Sequence, residues 1–173
     1  MPFSNATASS RLGSLTGLVF LIGIGLGGLG CEGDSSSRVI RTDIEFRPDG
    51  LLDFVDDSGE IVTRIVIEIA ESDSAQARGL MDRRSIPARG GMLFLYQEPG
   101  DRRFWMRSTP LPLDIIFVRA DSSIANIVKR TTPYSDQEIL SVGPAQFVVE
   151  VRGGFTDQFS IQDSLRIKWE RTE

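Results

Sequence analysis

The strongest constraint on the fold is the run IVTRIVIEIA, residues 61–70, in which Ile61, Thr63, Ile65, Ile67 and Ile69 share one parity and Arg64 and Glu68 the other. Side chains of an extended chain alternate between two faces, so this pattern predicts a half-buried β-strand. Shorter strand-like runs follow: GMLFLY (91–96), RRFWMRS (102–108), DIIFVRA (114–120), SIANIVK (123–129), QFVVEVR (146–152) and LRIKWE (165–170). Glycines, prolines and acids punctuate them. Upstream, IRTDIEFRP (40–48) and GLLDFVDDSG (50–59) read as two further strands around a turn at Pro48-Asp49-Gly50. The period changes only in ESDSAQARGLMDR (71–83). There Asp73 and Gln76 have capping-box spacing, and Ala77, Leu80 and Met81 share a helical face. Many short strands, few helices, no internal repeat and no βαβ alternation predict a mainly β domain, a compact antiparallel sandwich or barrel-like structure with one or two short helices.

The N-terminal residues follow different rules. Residues 1–30 hold no acid and one base, Arg11, before the apolar run LVFLIGIGLGGLG. A buried core helix could have this composition, but the charged-then-apolar order at an N-terminus fits a secretory signal better. The run is short for a membrane span, and its glycines weaken it as a helix. Cys31, the single cysteine, stands where the run stops. Gly-Leu-Gly-Cys resembles a bacterial lipobox, with Gly30 in the expected place before the cysteine and Gly28 where leucine is usual. The expectation is therefore a leader over 1–30, lipidation of Cys31, a polar tether over 31–38, and one β-rich domain over 39–173. Acyl chains would hold that domain at the cell envelope, on the outer side of the cytoplasmic membrane or in the outer membrane, more than one being needed for a stable hold. Ordinary cleavage or an uncleaved anchor are the alternatives.

Much chemistry is excluded by composition. The chain has no histidine, no cysteine cluster, no glycine-rich phosphate loop and no serine in a nucleophile elbow, so zinc sites, phosphate loops and Ser or Cys nucleophiles lack their residues. A formal net charge of −5 argues against nonspecific nucleic-acid binding. No cofactor is expected. One soft-metal idea is Met81, Met92 and Met106, a thioether set that could hold copper(I), although methionine more often fills core gaps.

The unusual segment is FWMRSTPLPLD, residues 104–114. If RFWMRS is a strand, Phe104 and Met106 face the core, while Trp105 lies between Arg103 and Arg107 on the other side. An arginine over the indole gains about 0.5–2 kcal/mol, and the same arrangement could clasp a ligand or merely cover a surface aromatic. Residues 78–107 hold seven arginines (Arg78, Arg83, Arg84, Arg89, Arg102, Arg103 and Arg107) against Asp82, Glu98 and Asp101. Guanidinium forks suit carboxylate and phosphate oxygens, which points to a small anionic ligand. Asp114 and Glu150 stand out from apolar surroundings. They read either as a general acid–base pair or as separate anchors for arginines and turns.

Four ordered motifs, ARGLMDRRSIP, GGMLFLY, FWMRSTPLPLDIIFV and FVVEVRGGF, resemble the bacterial and archaeal family known as domain of unknown function 192, over roughly residues 61–170. The pattern falls on Arg78, Gly79, Leu80, Met81, Arg83, Gly91, Met92, Phe94, Phe104, Trp105, Met106, Thr109, Pro112, Asp114 and Glu150. The family commonly has Lys-Asn where this chain has Arg107-Ser108. The resemblance implies a compact, mostly antiparallel β fold with a short helix and frequent export, and no established reaction. A motif that holds Trp105, Arg107, Thr109 and Asp114 around two prolines suits either a preorganised pocket wall or a rigid corner.

Three functions fit these residues. The first is an envelope lipoprotein that binds a small, anionic molecule through Arg78, Arg83, Trp105, Arg107 and Thr109, with Asp114 and Glu150 orienting the arginines. The second is a hydrolase using Asp114 and Glu150. The third is a structural or assembly factor, its protein partner not named by the sequence. The first is the expectation carried forward.

Overall fold

The computed structural model describes residues 44–172. The expected leader, Cys31 and tether lie outside them. Nine strands and two short helices follow in order: β1 Gly50–Val55, β2 Ile61–Ala70, α1 Asp73–Arg78, β3 Gly90–Gly100, β4 Arg103–Phe104, β5 Leu113–Val118, β6 Ile124–Val128, β7 Ile139–Leu140, β8 Ala145–Arg152, α2 Phe155–Gln158 and β9 Arg166–Arg171. Seven strands form one sheet in the order β6-β5-β8-β3-β2-β1-β9, and β4 pairs with β7 in a small second sheet. The two edges of the large sheet meet again. Ser123, just before β6, bridges Arg166 of β9, with Ile124 N–H donating to Leu165 O at 3.2 Å and Ile167 N–H to Ser122 O at 2.9 Å. The fold is thus mainly β and barrel-like, as the alternation predicts.

Period-two geometry explains the two cores. One parity of each strand fills the barrel: Leu52 and Phe54, Ile65, Ile67 and Ile69, Leu93, Ile116 and Val118, Val149 and Val151, and Ile167. Phe155 and Phe159 of the α2 segment meet in a tilted pair at 4.5 Å, and Phe155 meets Phe54 at 6.3 Å, which fixes α2 against this interior. The opposite parity carries a second apolar cluster: Met92 and Phe94, Leu113, Ile115 and Phe117, and Val148, joined by Leu80, Ile86 and Met106 from outside the sheet. Both faces of the central strands are therefore dry, and β5 is buried along its whole length.

Three expectations change. Every pairing is antiparallel except β2 with β3, which run parallel. Parallel neighbours need a crossover, so residues 71–89, with α1 in them, form a βαβ unit that the sequence reading lacked. Residues 44–49 are not a strand, and Gly50 begins β1 rather than closing a turn. The helix is capped by Ser72, whose Oγ accepts from Ala75 N–H at 3.3 Å. It stops at Gly79, so Leu80 packs from a loop. Gln76, read as a capping residue, instead sends Nε2 to Leu95 O at 2.6 Å, tying the helix to β3.

Candidate functional site

Glu68, Met92, Glu150 and Ile115 face one another across β2, β3, β8 and β5, because their Cα atoms are register partners in sequence across the sheet. All four therefore point to the outer face. The 71–89 crossover, the 104–111 segment and the small sheet cover that face. Two carboxylates thus become buried in one row, and the fold treats them differently. Glu68 was expected on solvent; it is buried with Arg83, whose Nη2 donates to Oε2 at 2.5 Å, and Arg47 N–H donates to Oε1 at 2.6 Å. Glu150 is 5% exposed, and among the described residues its Oε2 is the buried side-chain polar atom with no hydrogen-bond partner. Burial alone pushes its carboxyl from 4.5 up to about 8.

Glu150 forms the floor of an open cavity of about 290 Å³. Phe94 and Tyr96 of β3 stand beside it on the same face, while Phe104 and Trp105 close one side and α1 with residues 79–81 the other. Phe104 meets Phe94 edge-on at 5.1 Å and Phe117 at 5.8 Å, which locks that wall. Trp105 remains 43% exposed at the rim. Gly79 lines the chamber beside Phe94 and Glu150. Its φ of 49° suits glycine, and a Cβ there would stand 3.2 Å from the Phe94 ring and 3.7 Å from Glu150 Oε2.

The other expected site residues separate into groups. Arg78 and Arg103 reach the cavity mouth, paired loosely with Asp82 at 3.7 Å and Glu138 at 3.5 Å. Arg107 sits 5.5 Å over the Trp105 ring, the expected cation–π arrangement, and donates to Asp136 at 2.6 Å on the surface. Thr109 is buried and lines the cavity from the turn that precedes the two prolines. Arg83 does not join them, since its guanidinium is spent on Glu68 and Glu45 O. Of the methionines, Met81 lines the cavity, Met92 is core, and Met106 Sδ accepts from Thr131 Oγ1 at 3.2 Å.

Asp114 and Glu150 do not form a pair. The register matches Asp114 with Val151 and Ile115 with Glu150, so the two carboxyls point to opposite faces of the sheet. Asp114 faces the barrel end, where its oxygens accept from Arg130 N–H at 2.8 Å, Gly154 N–H at 3.0 Å, Thr156 N–H at 2.9 Å and Thr156 Oγ1 at 2.7 Å. It ties β5 to Arg130, just past β6, and to the start of α2, and it orients no arginine side chain. Neither does Glu150. Tyr96, Phe94, Gly79 and Asp73 enter the site unforeseen as its lining. The parity of Met92, Phe94 and Tyr96 was a usable signal, but only with β3 known to lie beside β8.

Comparison with other proteins agrees with this fold. A crystal structure of a candidate transcription regulator from Sinorhizobium meliloti 1021 is similar with a TM-score of 0.67 and 27% identity, over 74% of this chain and 98% of that one. A protein of unknown function from Novosphingobium aromaticivorans DSM 12444 is similar with a TM-score of 0.65 and 34% identity, over 69% of this chain and 84% of that one. No curated protein matches the chain. The family model DUF192, described as "Uncharacterized ACR", matches residues 54–169. The chain belongs to the DUF192 family.

Proposed function

We propose that this chain is a small-molecule-binding module, held at the cell envelope by a lipid on Cys31. The observation that carries the binding half is the open, aromatic-walled cavity of about 290 Å³ that ends on the unpartnered carboxyl of Glu150. Ligand pockets are typically concave, largely apolar and equipped with a few convergent polar groups. Here the polar groups are Glu150 at the floor, Thr109 in the wall, and Arg78 and Arg103 at the mouth. Exposed ion pairs as loose as those of Arg78 and Arg103 contribute about 0–1 kcal/mol, so both guanidiniums are free to turn to an anionic group on a ligand. The hydrolase reading has less support, because it needs two facing carboxylates and Asp114 lies on the other side of the sheet. The envelope half rests on the charged-then-apolar order of residues 1–30 and the lipobox-like Gly-Leu-Gly-Cys.

The test is a thermal-shift screen of the full-length chain against anionic metabolites, phosphates, glycans and copper(I), with Trp105→Ala beside wild type. Trp105 is half exposed, so its loss leaves the fold intact while removing one cavity wall. The expected result is a compound that raises the melting temperature of wild type and not of the variant, through preferential binding to the folded state. A screen without such a compound refutes an anionic ligand. Metabolic labelling with palmitate checks the anchor: label on wild type and none on Cys31→Ala is expected, and an unlabelled wild type removes the lipid.

A further inference from the structure

The row Glu68, Met92, Glu150 is an internal comparison. Two strand spacings, roughly 10 Å, separate two carboxyls on one face under one cover. For Glu68 the crossover supplies a cation, Arg83, at 2.5 Å. For Glu150 the same crossover supplies Gly79, whose bare backbone leaves open space where a side chain would stand 3.7 Å from Oε2. The space is walled by Phe94, Tyr96, Phe104 and Trp105. Aromatic faces attract cations, and one face each of Tyr96 and Trp105 already carries a guanidinium, Arg102 at 3.6 Å and Arg107 at 5.5 Å. A buried carboxyl with a free oxygen and an aromatic surround is the complement of an N–H-rich cation.

We propose that the cavity receives the cationic amine end of its ligand, a primary ammonium group docked on Glu150 in the position that Arg83 takes on Glu68. This deepens the small-molecule reading and rests on it. The charged and titratable groups facing the chamber are consistent with one orientation. Arg78 from α1 and Arg103 from β4 stand at the mouth beside Asp82 and Glu138, and they suit an acidic group there rather than a cation. Asp73 begins α1 at the outer end, and Tyr96 on β3 carries a phenol that burial keeps protonated to higher pH than usual. The amine enters first, and any acidic group of the ligand faces the arginines.

Docking has a proton balance. Below about pH 8 the Glu150 carboxyl is neutral in the free protein. An ammonium that binds it as an ion pair makes the carboxylate the favoured form, so the carboxyl proton leaves to the buffer and no other bond changes. Affinity for the ammonium therefore rises about tenfold per pH unit up to about pH 8 and then levels.

The experiment compares benzylammonium, benzyl alcohol and benzoate, one aromatic body with three head groups. Each is titrated calorimetrically into the full-length chain at pH 6, 7 and 8 in phosphate and in Tris. Benzylammonium is expected to bind at least tenfold more tightly than the other two, with close to one proton released at pH 7 and the tenfold-per-unit rise in affinity. Glu150→Gln should abolish both the preference and the proton release. The ranking of the three probes on wild type decides the matter even where the variant fails to fold. If benzyl alcohol or benzoate binds as well as benzylammonium, the cationic head is refuted and the cavity remains a ligand site. If none of the three binds, the small-molecule reading is refuted with it.

Discussion

Replacing Glu150 by glutamine should make the fold less sensitive to alkali, and the size of the effect follows from one buried group. In the unfolded chain this carboxyl ionises near its ordinary 4.5; in the folded chain burial holds it neutral up to about 8. Between those values the folded state binds more protons than the unfolded one, so stability falls as pH rises. At ~1.4 kcal/mol per pH unit the full loss is on the order of 5 kcal/mol, of which about 3 has already gone at neutral pH. The other perturbed acids act elsewhere. Arg47, Arg64, Ser58, Ser123 and Lys129 hold Asp49, Asp53, Asp56, Asp121 and Asp157 below the ordinary carboxylate range, so their contributions are lost only in acid. Glutamine has nearly the same shape and no charge to develop. Urea unfolding at pH 5, 7 and 9, followed through Trp105 and Trp169 fluorescence, gives both stability curves. The Gln variant should gain about 4 kcal/mol on wild type between pH 5 and 9. Two parallel curves would show that Glu150 ionises normally and is not the dry, unpartnered group described above.

Two further substitutions probe the rest of the sheet. Arg83→Met should cost about 3–5 kcal/mol in urea unfolding, because it leaves Glu68 as a buried charge without its cation, and adding Glu68→Met should recover most of that. Asp114→Asn sets an amide against donors that need an acceptor and should cost about 2–4 kcal/mol. It should leave the affinity of any cavity ligand within twofold, since Asp114 lies on the opposite face, and calorimetric titration of the variant checks this.

The strands were legible because an extended chain reports its two faces directly: Ile65 and Ile67 inside, Glu150 opposite Val149 and Val151. In the run 102–108, however, the strand holds only at Arg103–Phe104 before the chain turns. Alternation names a face and not what covers it. Glu68 was placed on the correct side of β2, yet at Glu68 that side is dry while at Arg64 it is exposed, because β2 and β3 are parallel and their crossover passes over the C-terminal half of β2. Nothing local to residues 61–70 records that passage. The Asp114 and Glu150 pairing was illegible for a related reason. Both sit in apolar runs that become neighbouring strands, and a register offset of one residue decides whether they meet or face apart. Trp105 with Arg107 was readable from two-residue spacing alone. The cavity itself was not, since Phe94, Tyr96, Gly79 and Trp105 come from three separate stretches that only the β3–β8 pairing and the crossover assemble.

The pairing of β1 with β9, residues 50–55 against 166–171, also governs when the molecule can form. The first strand of the barrel borders the last, so this pairing joins residues more than a hundred positions apart, and only with β9 in place can the sheet close against β6. Folds dominated by such non-local contacts form in milliseconds to seconds rather than microseconds. During synthesis β1 and β2 are made early and wait with one edge unpaired until β9 emerges. That interval is when the apolar strands are exposed to wrong partners, and Arg64 and Asp53, which form a 2.6 Å ion pair across β1 and β2, place charge on the waiting hairpin.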